Sequence, residues 1–477
     1  MFFLFEYTLF LVVLFVVWVL VSGTYTSYRV FVSSTYLLFF SVWGVFFLGY
    51  FYFLLYDQLT CWSFQSLVPC IELGAGLANG LGVAYLWPFV YIYIFITLVT
   101  LIYCFSYNYA ELLSFQLYII FIFLMGGSLF FVNSLALFFF AYEAFLIPSF
   151  LILYNFAKTR KAVEAAFLMF FWTQLGAVFL IFNFQYVFFV SGVAGFNELG
   201  FTSFTSLEFS FLFWTLLVGF GVKFPVWPFY DWLPKAHVEA STNFSIFLSG
   251  VLVKFAFFGF LRYFISLGFD FIPLAVYPFL LVGFMDASVK IFYQLDLKKL
   301  IAYSTVIEMH WLVFAVLNGS TFFWIAGFAM MVSHALVSAN FFILVDSVTR
   351  RFKTRLVFEV FGLAYLTPNL YVGVLFMLVV FLGFPGSLLF VAEFLFFSAL
   401  LDFSFGLFVI LFFFAYFFVP VCFFRSWFLS LFGFPYLTNL RRWSFPRVPD
   451  LALLEVILVF GFIVLLFWLG VTFQFFF

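Results

Sequence analysis

The sequence predicts an all-α, polytopic membrane protein, and three observations predict it. Of 477 residues 68% are apolar and 8% are charged, whereas about a quarter are charged in soluble domains. Apolar runs of about 20 residues, enough to cross a ~30 Å hydrocarbon core, recur along the chain. Lysine and arginine collect in alternate connections between those runs. In lipid the backbone must satisfy its own polar groups, so the spanning element is expected to be the helix.

The runs fall near residues 2–22, 33–55, 86–106, 112–131, 134–155, 164–190, 210–229, 242–263, 271–290, 300–317, 321–347, 367–400, 404–424 and 451–472, which makes fourteen spans. The run 367–400 reads as one span with a break at Gly383–Gly386 (GFPG). An even count puts both termini on one side and the odd-numbered connections on the other. Those connections, with the adjoining end of span 9, hold Arg29, Lys158, Arg160, Lys161, Lys235, Lys290, Lys298, Lys299, Arg350, Arg351, Lys353, Arg355, Arg425, Arg441, Arg442 and Arg447, sixteen of the 19 basic residues. The others are Lys223 and Lys254 inside spans and Arg262 at the far end of span 8. By the positive-inside rule the basic side is cytoplasm or matrix. The termini are then expected in the periplasm or intermembrane space.

The 93 Phe exceed what packing needs and point to T-rich coding in a biased genome such as an organelle's. Residues 1–10 carry neither a basic n-region nor an Arg/Ser-rich leader, as expected for synthesis in the compartment of insertion. A formal net charge of -1 offers no basic surface to nucleic acid. Cys61, Cys70, Cys104 and Cys422 form no CxxC pair and no zinc or iron–sulfur spacing. His237, His310 and His334 lie in separate segments, so no helix carries a metal-binding histidine pair. No metal or cofactor is therefore expected in this chain. The stretch Gly74–Gly80 (GAGLANG) resembles a dinucleotide fingerprint but lies in a charge-poor loop without a βαβ unit, and reads as a plain surface loop.

Function is expected around Gly221–Arg262, where Lys223 and Lys254 interrupt stretches otherwise fit for lipid. An ammonium at mid-bilayer costs from about 3 to more than 10 kcal/mol, so it normally faces protein, water or a counter-ion. Lys254 is about ten residues, or roughly 15 Å, from either end of its span, too deep to snorkel. A buried lysine beside a movable carboxylate can take up and release a proton. The other ionisable residues within spans are few, and three of them stand out: Glu143 in span 5, His334 in span 11 and Glu393 in span 12. A lone histidine on an apolar helix is more often a hydrogen-bonded core residue, whereas a carboxylate at that depth tends to mark a pathway. Pro225 and Pro228 follow Lys223, and Gly383 and Pro385 precede Glu393, so spans 7 and 12 should be broken helices lining a hydrated cavity. Each is fourth in a group of five, which predicts two inverted five-helix repeats. The expected units are residues 1–110 (spans 1–3), 111–265 (first repeat), 266–425 (second repeat) and 426–477 (basic loop and span 14).

At these residues the chain resembles a known family. Val222–Ala240 (VKFPVWPFYDWLPKAHVEA) is similar to the signature of the antiporter-like membrane subunits of respiratory complex I, in the form found in NADH dehydrogenase subunit 4. Gln294–Thr305, His334–Arg351, Leu382–Phe394 and Phe139–Leu153 resemble other blocks of the same family, so the likeness covers roughly 133–400. The resemblance implies proton translocation in complex I (NADH:ubiquinone oxidoreductase) of the mitochondrial inner membrane or, as the alternative, a bacterial plasma membrane. Glu143 and Lys223 would be an ion pair, Lys254 the central relay, His334 the link onward and Glu393 the terminal carboxylate. Lys235 and His237 in the KAHVEA stretch are further candidates. The resemblance implies other membrane-arm subunits as partners, sister antiporter-like subunits among them, with NADH, FMN, iron–sulfur clusters and ubiquinone held by other subunits.

Two departures stand out. Where the family usually has SHMG this chain has Ile307, Glu308, Met309 and His310, and Ser241 replaces the proline after KAHVEA. Glu308, His310 or water would then join Lys254 to His334. Two other classes fit the same residues: a subunit of a multi-subunit Na⁺/H⁺ antiporter, and a non-transporting scaffold in which the ionic row specifies helix packing.

Overall fold

A computed structural model describes residues 86–103, 109–157, 159–268 except 201 and 203, 275–318, 321–432 and 449–474. Spans 1 and 2, the Gly74–Gly80 loop, Cys61, Cys70, Cys104, Arg29, Lys158, Arg441, Arg442 and Arg447 lie outside the described residues. Among the described residues the chain is almost wholly helical, with two isolated β-bridges and no strand.

The helices run in order α1 (Leu86–Ile102), α2 (Tyr109–Phe131), α3 (Leu135–Ala144), α4 (Leu146–Asn155), α5 (Arg160–Ser191), α6 (Ser206–Gly221), α7 (Trp232–Glu239) and α8 (Thr242–Leu267). Then follow α9 (Val276–Phe292), α10 (Leu297–Leu317), α11 (Thr321–Phe352), α12 (Pro368–Phe381), α13 (Leu388–Phe403), α14 (Phe405–Phe432) and α15 (Leu453–Gln474). Among the described residues seven membrane-length apolar helices occur: α3 with α4, α5, α8, α10, α11, α14 and α15.

Helix starts follow local chemistry. Thr159, Ser241, Asp296 and Ser387 cap α5, α8, α10 and α13, and Thr205 with Glu208 forms a capping box on α6. Interruptions follow proline and glycine. The step between α3 and α4 at Phe145 lies three residues before Pro148, which cannot donate to the carbonyl four residues back. Helix α6 ends at Gly221, and Pro225 and Pro228 keep the chain irregular until Phe229. Between α12 and α13 the chain turns at Gly383 (φ 73°) and Gly386 (φ 94°), values a side chain disfavours. Helices α8 and α14 each contain a π-turn, at Leu248–Leu252 and Phe413–Phe418.

Burial separates a centre from a rim. All of the apolar stretch of α8 and of α10 is buried and 89% of that of α11, against 39% for α5, 28% for α14 and 33% for α15. Helices α8, α10 and α11 therefore form the middle of the bundle, and α5, α14 and α15 present phenylalanine and aliphatic side chains outward, as a lipid-facing surface would.

The connections gather at two faces. On one, Thr159 donates to Glu239 (3.0 Å), Arg355 to Val238 O (2.7 Å) and Asp296 (2.6 Å), Lys298 to Ala240 O (3.0 Å), and Arg351 to Pro449 O and Asp450 O (both 2.8 Å). On the other, Phe196 N donates to Asn133 O (2.9 Å) and Arg262 to Leu129 O (3.2 Å). The bridges also divide between them: Ser134–Gly195 joins the start of α3 to the end of α5, and Asp296–Leu356 joins the start of α10 to the end of α11.

Candidate functional site: a buried row of ionisable residues

The row begins where two interrupted spans meet. Lys223 leaves the broken stretch after α6, and its Nζ donates to Glu143 Oε1 at 2.7 Å, just before the step between α3 and α4. The same Nζ lies 3.8 Å from the centroid of the Tyr142 ring, so the ammonium has a carboxylate and an aromatic face as partners. Glu143 Oε2 is buried without a hydrogen-bond partner.

The break beside Lys223 leaves backbone groups that a continuous helix would have paired. Val222 O accepts from the Trp232 indole at 2.8 Å. Trp227 N donates to His310 Nε2 at 3.1 Å, while His310 Nδ1 lies 2.8 Å from Val306 O. Both nitrogens of His310 are thus engaged by the backbone, with the ring proton on Nδ1. Gly283 makes this possible, since a Cβ there would meet His310 Nε2 and the Trp227 side chain.

Lys254 sits just past the π-turn of α8. A π-turn shifts the hydrogen-bond register and exposes a carbonyl. Lys254 Nζ donates to Ser249 O at 2.6 Å and contacts His334 Nδ1 from α11. With Nδ1 accepting, His334 carries its proton on Nε2, which is buried without a partner. Ser338 on α11 donates to Ser249 at 3.2 Å, a second tie between the two helices. No hydrogen bond joins Lys223 to Lys254 among the described residues.

Glu308 lies on α10 with 7% of its surface exposed and Oε2 without a partner. It is in electrostatic reach of Lys254 on α8 and of Glu393 on α13. Glu393 is partly buried, faces the Tyr416 hydroxyl from the π-turn of α14, and packs against the turn: a Cβ on Gly383 would stand 2.9 Å from Glu393 Oε2. Of the remaining candidates, Lys235 is exposed on α7. His237 is fully buried, stacks on Phe342 at 4.8 Å, and has no partner at either ring nitrogen.

Sequence reasoning did not find the groups that hold this row: Tyr142, Trp232, Ser249 and Tyr416. Only the neighbouring helix breaks hinted at them, because freed carbonyls and amides need donors and acceptors. It also missed a buried ionic cluster at the basic face. There Asp346 binds Arg350 (2.8 Å), Tyr103 (2.7 Å) and Thr242, and Glu455 binds Arg350 and Arg351.

Comparison with known proteins gives a consistent picture. Residues 132–419 match the family model described as "NADH:quinone oxidoreductase/Mrp antiporter, TM". NADH-ubiquinone oxidoreductase chain 4 of Paramecium tetraurelia is 34% identical over 335 residues, 69% of this chain and 68% of that one. The protein of the same name from Chondrus crispus is 33% identical over 270 residues, 56% of this chain and 55% of its own length. Among solved structures, respiratory complex I from Thermus thermophilus with bound aureothin has a chain with TM-score 0.66 at 20% identity, covering 81% of this chain and 83% of that one. A chain of the Mrp complex from Dietzia sp. DQ12-45-1b gives 0.70 at 16% identity, covering 81% of each. At such identities the structural likeness is one of fold.

Proposed function

The chain belongs to the NADH:quinone oxidoreductase/Mrp antiporter transmembrane family, and from that premise we propose that it is the subunit 4-type, proton-translocating membrane subunit of a respiratory complex I. It is one part of an enzyme. NADH oxidation and ubiquinone reduction belong to partner subunits, which hold FMN and the iron–sulfur clusters, and this chain moves protons in response. Its partners are the other membrane-arm subunits, sister antiporter-like subunits among them, and the lipid bilayer. The phenylalanine-rich composition and the eukaryotic relatives support the mitochondrial inner membrane, with the basic face toward the matrix and the termini toward the intermembrane space.

The architecture is proposed as fourteen spans with two inverted five-helix repeats. Three paired features support it: a broken span in each half, a π-turn in the span that follows each broken one, and a β-bridge closing each hairpin on opposite faces.

The observation that carries the functional reading is the Glu143–Lys223 pair at 2.7 Å beside a helix break, followed by Lys254 in the fully buried α8. We assign Glu143, Lys223, Lys254, His334 and Glu393 to the proton axis. When Glu143 lies against Lys223 the ammonium is favoured; when it moves away the proton is released toward Lys254 through water, and then onward to Glu393. His310, with both nitrogens bonded to backbone, is assigned to holding the break open.

Lys254→Met keeps the volume and removes the titratable group. It should leave assembly intact and lower NADH-driven proton uptake by vesicles at least about tenfold. Wild-type uptake at wild-type assembly would reject the axis. The likeness to an Mrp complex chain supports a second reading, a Na⁺/H⁺ antiporter subunit. Purification with an NADH-reducible flavin arm would exclude it.

A further inference from the structure

Glu308 is a buried carboxyl with an unfilled oxygen. Of its residue surface 7% is exposed, and Oε2 has no hydrogen-bond partner. Burying such a group without a partner costs on the order of 1–3 kcal/mol or more, so its place needs an explanation. Helix α10 lies wholly inside the bundle. That excludes the bland account, in which the carboxyl turns toward lipid or a neighbouring subunit.

The surroundings narrow its role. Glu308 is in electrostatic reach of Lys254 on one side and Glu393 on the other. His334 contacts Lys254 through Nδ1, and its other electrostatic partner is His237 on α7. His310, two residues along α10, has both nitrogens occupied by backbone. Glu393 stands between the α12–α13 turn and the Tyr416 hydroxyl, and it is less deeply buried than Glu308.

We propose that Glu308 is the proton-carrying link between Lys254 and Glu393, acting with Glu393 as a carboxyl pair that holds one proton, while His334 is a positioning residue for the Lys254 ammonium. This rests on the proton axis proposed above and changes one link in it. The first transfer breaks an N–H bond of the Lys254 ammonium, leaves the electron pair on Nζ and forms an O–H bond on the Glu308 carboxylate. Charge is conserved, because an ammonium and a carboxylate become an amine and a carboxylic acid. The proton that the pair retained, on Glu393, then leaves to water, and the second transfer returns Glu308 to carboxylate and protonates the vacated Glu393. Two carboxylates close together in a low-dielectric site disfavour double ionisation, so one retained proton is the stable loading of the pair. Gaps longer than a hydrogen bond are crossed by water, for which the open Oε2 is an acceptor.

The test uses the assembled complex in vesicles and compares Glu308→Gln, Glu308→Asp and Lys254→Met. Glu308→Gln should lower NADH-driven proton uptake at least about tenfold, as Lys254→Met does, and Glu308→Asp should retain more of it than Glu308→Gln. Infrared difference spectra during turnover should lose a carboxyl C=O band in Glu308→Gln and shift it in Glu308→Asp. The band reads protonation directly, so it separates a carrier from a residue that only supports packing. Wild-type uptake in Glu308→Gln, or an unchanged carboxyl band, with Lys254→Met still defective, would overturn the link and leave the axis standing. Wild-type uptake in Lys254→Met would overturn the axis itself.

Discussion

Each of the two lysines at membrane depth is accompanied by a local device that makes its burial tolerable. Lys223 has Glu143 at 2.7 Å and the face of Tyr142 at 3.8 Å. Lys254 has a carbonyl exposed by a π-turn and the imidazole of His334. The first device can be removed with a single atom-scale change. Glu143→Gln keeps the shape but takes the counter-ion from a buried ammonium, a loss of about 3–5 kcal/mol when the charge is retained. The ammonium state of Lys223 should therefore be poorly populated and proton uptake should fall about tenfold or more, with assembly maintained. Vesicles carrying Glu143→Gln that acidify at the wild-type rate would remove this pair from the pathway.

The broken span is held together by side chains of its neighbours. Val222 O and Trp227 N, on either side of the irregular stretch, are satisfied by Trp232 and His310 respectively. A freed backbone group left unpaired inside the membrane costs on the order of 1–3 kcal/mol. Trp232→Phe removes the indole donor to Val222 O together with part of a buried ring, so it should destabilise the break by at least that amount without touching an ionisable group. The expected result is a lower yield of assembled complex and a lower melting temperature, with proton uptake per assembled complex largely kept. A full yield with unchanged melting would mean that water replaces the indole. The π-turn of α14 supplies Tyr416 to Glu393 much as that of α8 exposes a carbonyl to Lys254.

Viewed as one body, the molecule places α8, α10 and α11 at its centre and ties its connections into two separate faces. Helix α5, with 32 residues, is about 48 Å long and passes from one face to the other. Arg160, at its start, and Glu198, just beyond its end, are both exposed. Single cysteines at Arg160 and at Glu198 should react with impermeant reagents from opposite sides of the membrane, Arg160 from the matrix side. Labelling of both from one side would break the alternation on which the span count and the orientation rest. The cluster of Asp346, Arg350, Arg351 and Glu455 joins α15 to α11 at the basic face, far along the chain from the residues it meets.

Much of this arrangement was legible along the chain because the signals are local. Membrane-length apolar runs mark helices, prolines and glycines mark the breaks after Gly221 and around Gly383, and a lysine without an interface in reach marks burial. Lys254 stood out for that reason, Lys223 as a charge in a stretch otherwise fit for lipid, and Glu143 because a carboxylate at that depth is costly. The facing of one helix toward another is different, since it depends on packing between segments far apart in sequence. No periodicity near Glu308 says that it looks toward Lys254 and Glu393, and none near His310 says that its ring spans from Val306 O to Trp227 N. The two residues lie two positions apart on one helix, so they point about 160° apart. Tertiary packing alone decided that the histidine supports the break and that the carboxyl enters the row.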